Sequence, residues 1–154
     1  MRHHLILFAL LFAAGCADDD PAPVVHVVSA TPDTLDPAND LADDLRIVVD
    51  YSDRDGDLGN GVAQVHDCRA DTLVTELPIP AIAADAMLGS PISGTLDLYV
   101  DDVGAAVATT MPSTCSELGV AALAANQTVF CVVLVDSQQH AGPGDCTEPV
   151  ALAP

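Results

Sequence analysis

The first sixteen residues decide in which compartment the rest of the chain folds, and therefore what can hold it together. Met1-Arg2-His3-His4 is a short basic start, Leu5 to Ala14 (LILFALLFAA) is an uninterrupted apolar run, and Gly15-Cys16 leads at once into the polar Ala17-Asp18-Asp19-Asp20-Pro21. A basic n-region, an apolar stretch of roughly 7–15 residues and small residues at a cleavage point are the parts of a secretory signal. The run is too short to be a spanning helix, which needs about 20 apolar residues. Residues 1–15 are thus expected to be removed, and the remaining 139 of the 154 residues to fold in an oxidising environment.

The segment Ala13-Ala14-Gly15-Cys16 resembles the lipobox of bacterial lipoproteins, with Ala13 where that family usually has Leu. The resemblance implies that Cys16 is alkylated by diacylglycerol, becomes the first residue of the mature protein and is acylated on its new amino group. Several acyl chains give stable anchoring, because each buried CH₂ adds about 0.8 kcal/mol. Ala17, not Asp, follows the cysteine, and by the same resemblance this favours the outer membrane. Residues 16–23 read as the lipidated Cys and a flexible acidic tether, and residues 24–154 as one domain of normal size.

Export also gives the other cysteines a meaning. Cys68, Cys115, Cys131 and Cys146 form an even set with no CxxC spacing, which points to two disulfides in place of a zinc site. Three connectivities are open; Cys68–Cys115 with Cys131–Cys146 is the favoured one. Each bridge would stabilise the domain by roughly 3 kcal/mol.

Charge narrows the partners. The chain has no Lys; its basic residues are Arg2, Arg46, Arg54 and Arg69, and losing Arg2 takes the formal charge from −19 to −20. Such a surface repels nucleic acid and anionic headgroups and suits a divalent cation or a basic partner. Trp is absent, so stacking platforms for sugars are poorly supplied.

The domain reads as all-β. Val24–Ser29 is rich in β-branched residues. Leu45–Tyr51 alternates, with Leu45, Ile47, Val49 and Tyr51 on one face. Gly61–Cys68 and Thr72–Leu77 follow as strands. Thr95–Val100 turns Leu96, Leu98 and Val100 inward and Asp97 and Tyr99 outward. Val129–Val135 is continuously apolar, as in a strand buried on both faces. Thr147–Leu152 reads as a final edge strand, with Pro149 at that edge. One helix is expected: Thr114-x-x-Glu117 matches a capping box, and good helix formers continue to Ala125. Ala81–Leu88 is a second candidate for a short helical turn. About seven short strands at this spacing suggest a sandwich with one short helix between late strands. The strand ending YSDRDGDLG, with the late VFCVVLVDSQQ strand, resembles immunoglobulin-like domains of bacterial surface proteins over residues 24–153.

One constellation carries chemistry. Asp53, Asp55 and Asp57 alternate in a turn opened by Gly56 and Gly59. Alternating carboxylates on a Gly-containing turn can converge on a hard cation, and calcium takes 6–8 oxygen ligands. The resemblance implies that this turn joins two strands at the end of the sandwich to which the loop after Val135 also belongs. That would add Asp136 as a fourth carboxylate and Asn60 as a further oxygen donor. An EF-hand is excluded, because its sixth and twelfth positions would be Leu58 and Gln64. The favoured reading is the simpler one, an Asp/Gly turn whose carboxylates accept backbone N–H groups. His66-Asp67-Cys68 reads as a strand end beside a disulfide, and there is no phosphate loop, nucleophile elbow or dinucleotide fingerprint.

Together these features describe a lipid-anchored envelope protein whose module is non-catalytic, with a binding or structural role and the acidic loop as its candidate calcium site. Two other classes compete. A small envelope enzyme or accessory subunit would use a metal on the same loop, with His140 as the one candidate base if the last hairpin folds toward it. An acidic decoy for a basic partner would bind in a salt-sensitive way.

Overall fold

The computed structural model describes residues 22–38, 44–70, 74–82, 89–101, 103 and 111–154. The expected signal segment, Cys16, most of the tether and residues 83–88 of the second helical turn lie outside them. Among the described residues there are ten strands and one helix: β1 (Val24–Thr31), β2 (Thr34–Leu35), β3 (Leu45–Asp53), β4 (Val62–Asp67), β5 (Val74–Pro78), β6 (Ile92–Val100), α1 (Ser113–Glu117), β7 (Gln127–Thr128), β8 (Phe130–Val135), β9 (Asp145–Cys146) and β10 (Val150–Leu152). No described helix is long and apolar enough to cross a membrane.

The fold is an all-β sandwich. One sheet runs β1-β3-β6 and the other β5-β4-β8-β9, every pair antiparallel. Periodicity explains which residues meet between them. Leu45, Ile47 and Val49 of β3 and Leu98 and Val100 of β6 face Ala63 and Val65 of β4 and Phe130, Val132 and Leu134 of β8 in one apolar core. β8 is buried at all six positions, which is why its sequence does not alternate. The outer face of β6 carries Tyr99, 57% exposed, as its alternation requires.

Ten strand segments replace the expected seven because three two-residue strands, β2, β7 and β9, are added to them. β2, β7 and β10 form a third sheet in the order β2-β10-β7, closing one end of the core with Leu35 and Val150. Segments this short have no readable period. β10 is central in that sheet and not an edge strand: Ala151 N donates to Asp33 O at 2.9 Å and Leu152 N to Asn126 O at 2.8 Å on the other side. Pro149 does not prevent this, because it precedes the strand.

The helix is also shorter than expected. It spans Ser113–Glu117, with Pro112 at the N-cap and no side-chain cap bond, so Thr114 lies inside the helix and does not cap it. Gly119 (φ +82°) ends it in the left-handed region, and Val120 N then donates back to Cys115 O at 3.0 Å. The good helix formers from Ala121 to Ala125 therefore lie outside it; a positive-φ glycine outweighs a few tenths of a kcal/mol of propensity per residue.

Registers fix two ends. Asp53 pairs with Ile92, Val24 with Ser52 and Val62 with Val135, so the loop after β3, the start of β1 and the loop after β8 share one end. The opposite end holds α1, the third sheet and the four paired cysteines. Leu58 is the single apolar side chain that the acidic loop sends into the core, where it is fully buried. Leu58→Ala should cost 2–5 kcal/mol, the range for truncating a buried Leu. In urea unfolding the midpoint should fall with the slope unchanged; a loss under 1 kcal/mol would mean that the loop is not seated in the core.

Candidate functional site

Asp53 is the last residue of β3, so the strand's own alternation turns its side chain inward, and it is 1% exposed. Its Oδ2 accepts the Leu58 N–H at 2.8 Å, closing the loop that sends Leu58 into the core. Its Oδ1 is buried with no hydrogen-bond partner, and the same holds for Asp55 Oδ1 and Asp57 Oδ1. One carboxylate oxygen from each of the three residues lies within 4.8 Å of the other two.

Three buried acceptors facing one another are costly. At an effective dielectric near 20, two carboxylates about 4.8 Å apart repel by on the order of 3 kcal/mol. Burial, then the neighbouring Asp53 and Asp57 carboxylates, push the Asp55 carboxyl up to about 6. A proton relieves the repulsion at low pH, and a cation held among the three oxygens would relieve it near neutrality. The donor set fits calcium. It consists of hard oxygens, and two ligands on opposite sides of Ca²⁺ at 2.4 Å lie about 4.8 Å apart, within its 2.3–2.6 Å bond range.

The loop is held where this convergence needs it. Gly56 has φ +74°, and a Cβ there would lie 2.2 Å from Ser90 O, so the turn is pressed against the residues preceding β6 and admits only glycine. Gly61 N donates to Leu58 O at 2.9 Å. From the other sheet, Ser137 N donates to Asp57 O at 3.2 Å and Gln138 Nε2 to Asp57 Oδ2 at 2.6 Å.

Asp136 belongs to the same end but does not join the cluster, contrary to the expectation of a fourth ligand. It is fully buried, and both oxygens are taken within its own loop: Oδ1 accepts Gln138 N at 2.8 Å and His140 N at 2.9 Å, and Oδ2 meets His140 Nδ1 at 3.0 Å. An Asp two residues before a backbone N–H makes an Asx turn, a local use that a loop-end carboxylate takes up readily. Asn60 is exposed, with φ 65°. Sequence reading missed Gln138 and Leu58. A lone leucine between DGD and GN is the signal for a core plug; nothing marks Gln138.

At the opposite end, sulfurs join Cys68 to Cys115 at 2.03 Å and Cys131 to Cys146 at 2.07 Å, the favoured pairing of the three. Cys131 and Cys146 are direct register partners across β8 and β9. Asp67 is occupied by Arg69, whose Nε donates to its two oxygens at 3.0 and 2.9 Å, and by Thr128 Oγ1 at 2.6 Å. His66 beside it is half-buried, which lowers its pKa. His66-Asp67-Cys68 is therefore structural. Cys16 lies outside the described residues.

No protein-family model matches the chain, and no curated protein or solved structure is significantly similar to it.

The raised Asp55 pKa gives a signed prediction for the calcium-free protein. A carboxyl whose folded pKa is about 6, against an ordinary value of 3.8, adds stability that is complete below about pH 4 and is lost as pH rises through 6. Urea unfolding in calcium-stripped buffer should thus show wild type losing stability relative to Asp55→Asn between pH 4.5 and 7.5. Parallel pH profiles for the two proteins would refute the convergence of the three carboxylates.

Proposed function

We propose that this chain is a lipid-anchored envelope protein whose sandwich, an immunoglobulin-like module, is a non-catalytic binding or structural unit ordered by calcium at the Asp53–Asp57 end. One observation carries the reading: Asp53 is 1% exposed and still has a carboxylate oxygen without a partner, facing those of Asp55 and Asp57. An Asp/Gly turn that merely folds on itself would use such an oxygen on a backbone N–H, as Asp136 does. Calcium is the hard cation of the extracellular compartments, and the signal-like N-terminus and two disulfides agree with that location.

Anchoring gives the site a direction. β1 begins beside Ser52, one residue before Asp53. From Cys16 to Pro23 the chain reaches at most about 25 Å, at 3.3–3.6 Å per residue. On this reading the calcium end faces the bilayer, and the end with α1 and the third sheet points away from it. Calcium then stiffens the part of the domain nearest its tether, and a partner meets the distal end or the flanks of the sheets.

The enzyme reading retains one favourable observation. The loop after β8 does fold toward the acidic turn, through Ser137 and Gln138, and it brings a His140–Asp136 pair to the same end. A base working on a metal-bound group would make His140 necessary for activity while leaving metal affinity intact.

Thermal unfolding of the full chain with calcium or chelator tests the proposal. At ten times its Kd, a ligand specific for the folded state adds about 1.4 kcal/mol, which should raise the midpoint by several degrees, with the rise lost in Asp55→Asn. Cys16→Ser should in parallel move the protein from the membrane to the soluble fraction. An unchanged midpoint at 10 mM calcium removes the cation from the account, and a Cys16→Ser protein that stays on the membrane removes the anchor.

A further inference from the structure

The two disulfides are close enough to be one chemical site. Cys68 Sγ lies 3.5 Å from Cys131 Sγ, a sulfur of the other bridge. Cys68, Cys115 and Cys131 are buried, at 2%, 0% and 0% exposure, while Cys146 is half-buried. Cys146 lines a surface cleft of about 310 Å³ whose walls are largely apolar, including Leu118, Val120, Leu123 and Pro149. A thiol arriving from solvent therefore has one sulfur of the four within reach, and the sulfur it displaces is the one that touches the second bridge.

We propose that Cys146, Cys131, Cys68 and Cys115 form a thiol–disulfide exchange relay, opened at Cys146 by a small uncharged thiol and ending with Cys115 reduced. The substrate class follows from the cleft: its apolar walls suit a neutral thiol, and the strongly acidic surface disfavours an anionic one. Exchange proceeds by thiolate attack on a disulfide sulfur. The incoming thiolate bonds to Cys146 Sγ and breaks its bond to Cys131, which leaves as thiolate. Cys131 Sγ closes the 3.5 Å gap to bond with Cys68 Sγ, and the Cys68–Cys115 bond breaks. Cys115 takes up the proton that the incoming thiol lost. A second thiol molecule then attacks the mixed disulfide on Cys146, leaving as the oxidised dimer of the reagent and freeing the Cys146 thiol. Two electrons enter, two thiols appear, and the protein keeps one bridge, Cys68–Cys131.

The rearrangement has a structural meaning. Cys68 follows β4 directly and Cys131 lies in β8, which is already paired with β4, so the surviving bridge joins elements that the sheet holds anyway. The two bonds lost are the covalent ties of α1, through Cys115, and of β9, through Cys146, to that sheet, and β9 keeps its hydrogen-bonded pairing with β8. One two-electron event removes both covalent ties at the end opposite the acidic loop, leaving β9 held by its pairing with β8. The relay stands independently of calcium and of the lipid anchor.

The test is graded reduction of the full chain with 2-mercaptoethanol, quenching with N-ethylmaleimide and peptide mapping without further reduction. The half-reduced protein should carry label on Cys115 and Cys146 and a Cys68–Cys131 cross-link. Label on Cys131 and Cys146 with Cys68–Cys115 intact would overturn the relay, as would passage from no label to four with no half-reduced form. Cys146→Ser isolates the internal step, since it starts with Cys131 as a thiol: the label should fall mainly on Cys115, and label on Cys131 refutes exchange. Should that variant fail to fold, Cys115→Ser runs the same step backwards. Its label should fall on Cys146, and label retained on Cys68 refutes the proposal.

Discussion

The end of the domain that carries its candidate site depends on a carboxylate buried where the core should be apolar. Asp53 sits at the inward position closing β3, the central strand of its sheet, and half of its hydrogen-bonding capacity is committed to the Leu58 N–H. That bond shapes the acidic loop, and the loop's one apolar residue is driven into the core. The other half is aimed at Asp55 and Asp57. Burying an unpaired acceptor costs 1–3 kcal/mol, more for a charge, and here three such groups face each other. The arrangement is stable near neutral pH when a positive charge sits among them. Under the proposed calcium reading, core packing and cation affinity are coupled through one side chain, that of Asp53.

The molecule is chemically polarised along its strands. At one end are the carboxylates, the Asp57–Gln138 bond between the loops after β3 and β8, and the start of β1. At the other are four sulfurs, a five-residue helix and three very short strands. The long strands β3, β6 and β8 join the two ends with a continuous aliphatic core in which, among the described residues, Phe130 is the one fully buried aromatic ring. Covalent bonds hold the end whose elements are too short to be held by packing alone. On the proposed reading of an exported, calcium-binding domain both devices have a place, because disulfides persist and calcium is abundant outside the cytoplasm.

How much of this the sequence carried depends on the length scale of each signal. Alternation over six to nine residues located β3 and β6, and the unbroken VFCVVLV run located β8, because burial imposes a period that survives in single residues. Asp53, Asp55 and Asp57 were visible as a trio, since alternate positions on a turn are enough to suggest convergence. The two-residue strands β2, β7 and β9 were invisible: they exist only through pairing partners distant in sequence. The helix was overextended because Gly119 reads as a weak penalty within good formers, while in the fold it takes a left-handed conformation that ends the helix. Asp136 was misassigned for a related reason. Its place at the right end follows from topology, but its rotamer follows from N–H groups two and four residues ahead, and those win locally. The approach of the two disulfides to 3.5 Å follows from strand register, which single residues do not reveal.

The central claim is that Asp53, Asp55 and Asp57 hold one calcium ion, and direct calorimetric titration of the full chain with calcium chloride at pH 7.5 tests it most directly. Saturable binding of one ion per chain is expected with Kd on the order of 10⁻⁴–10⁻³ M, the range of extracellular calcium modules, and it should disappear in Asp55→Asn. Absence of saturable heat up to 10 mM calcium, or identical binding by the variant, would contradict it.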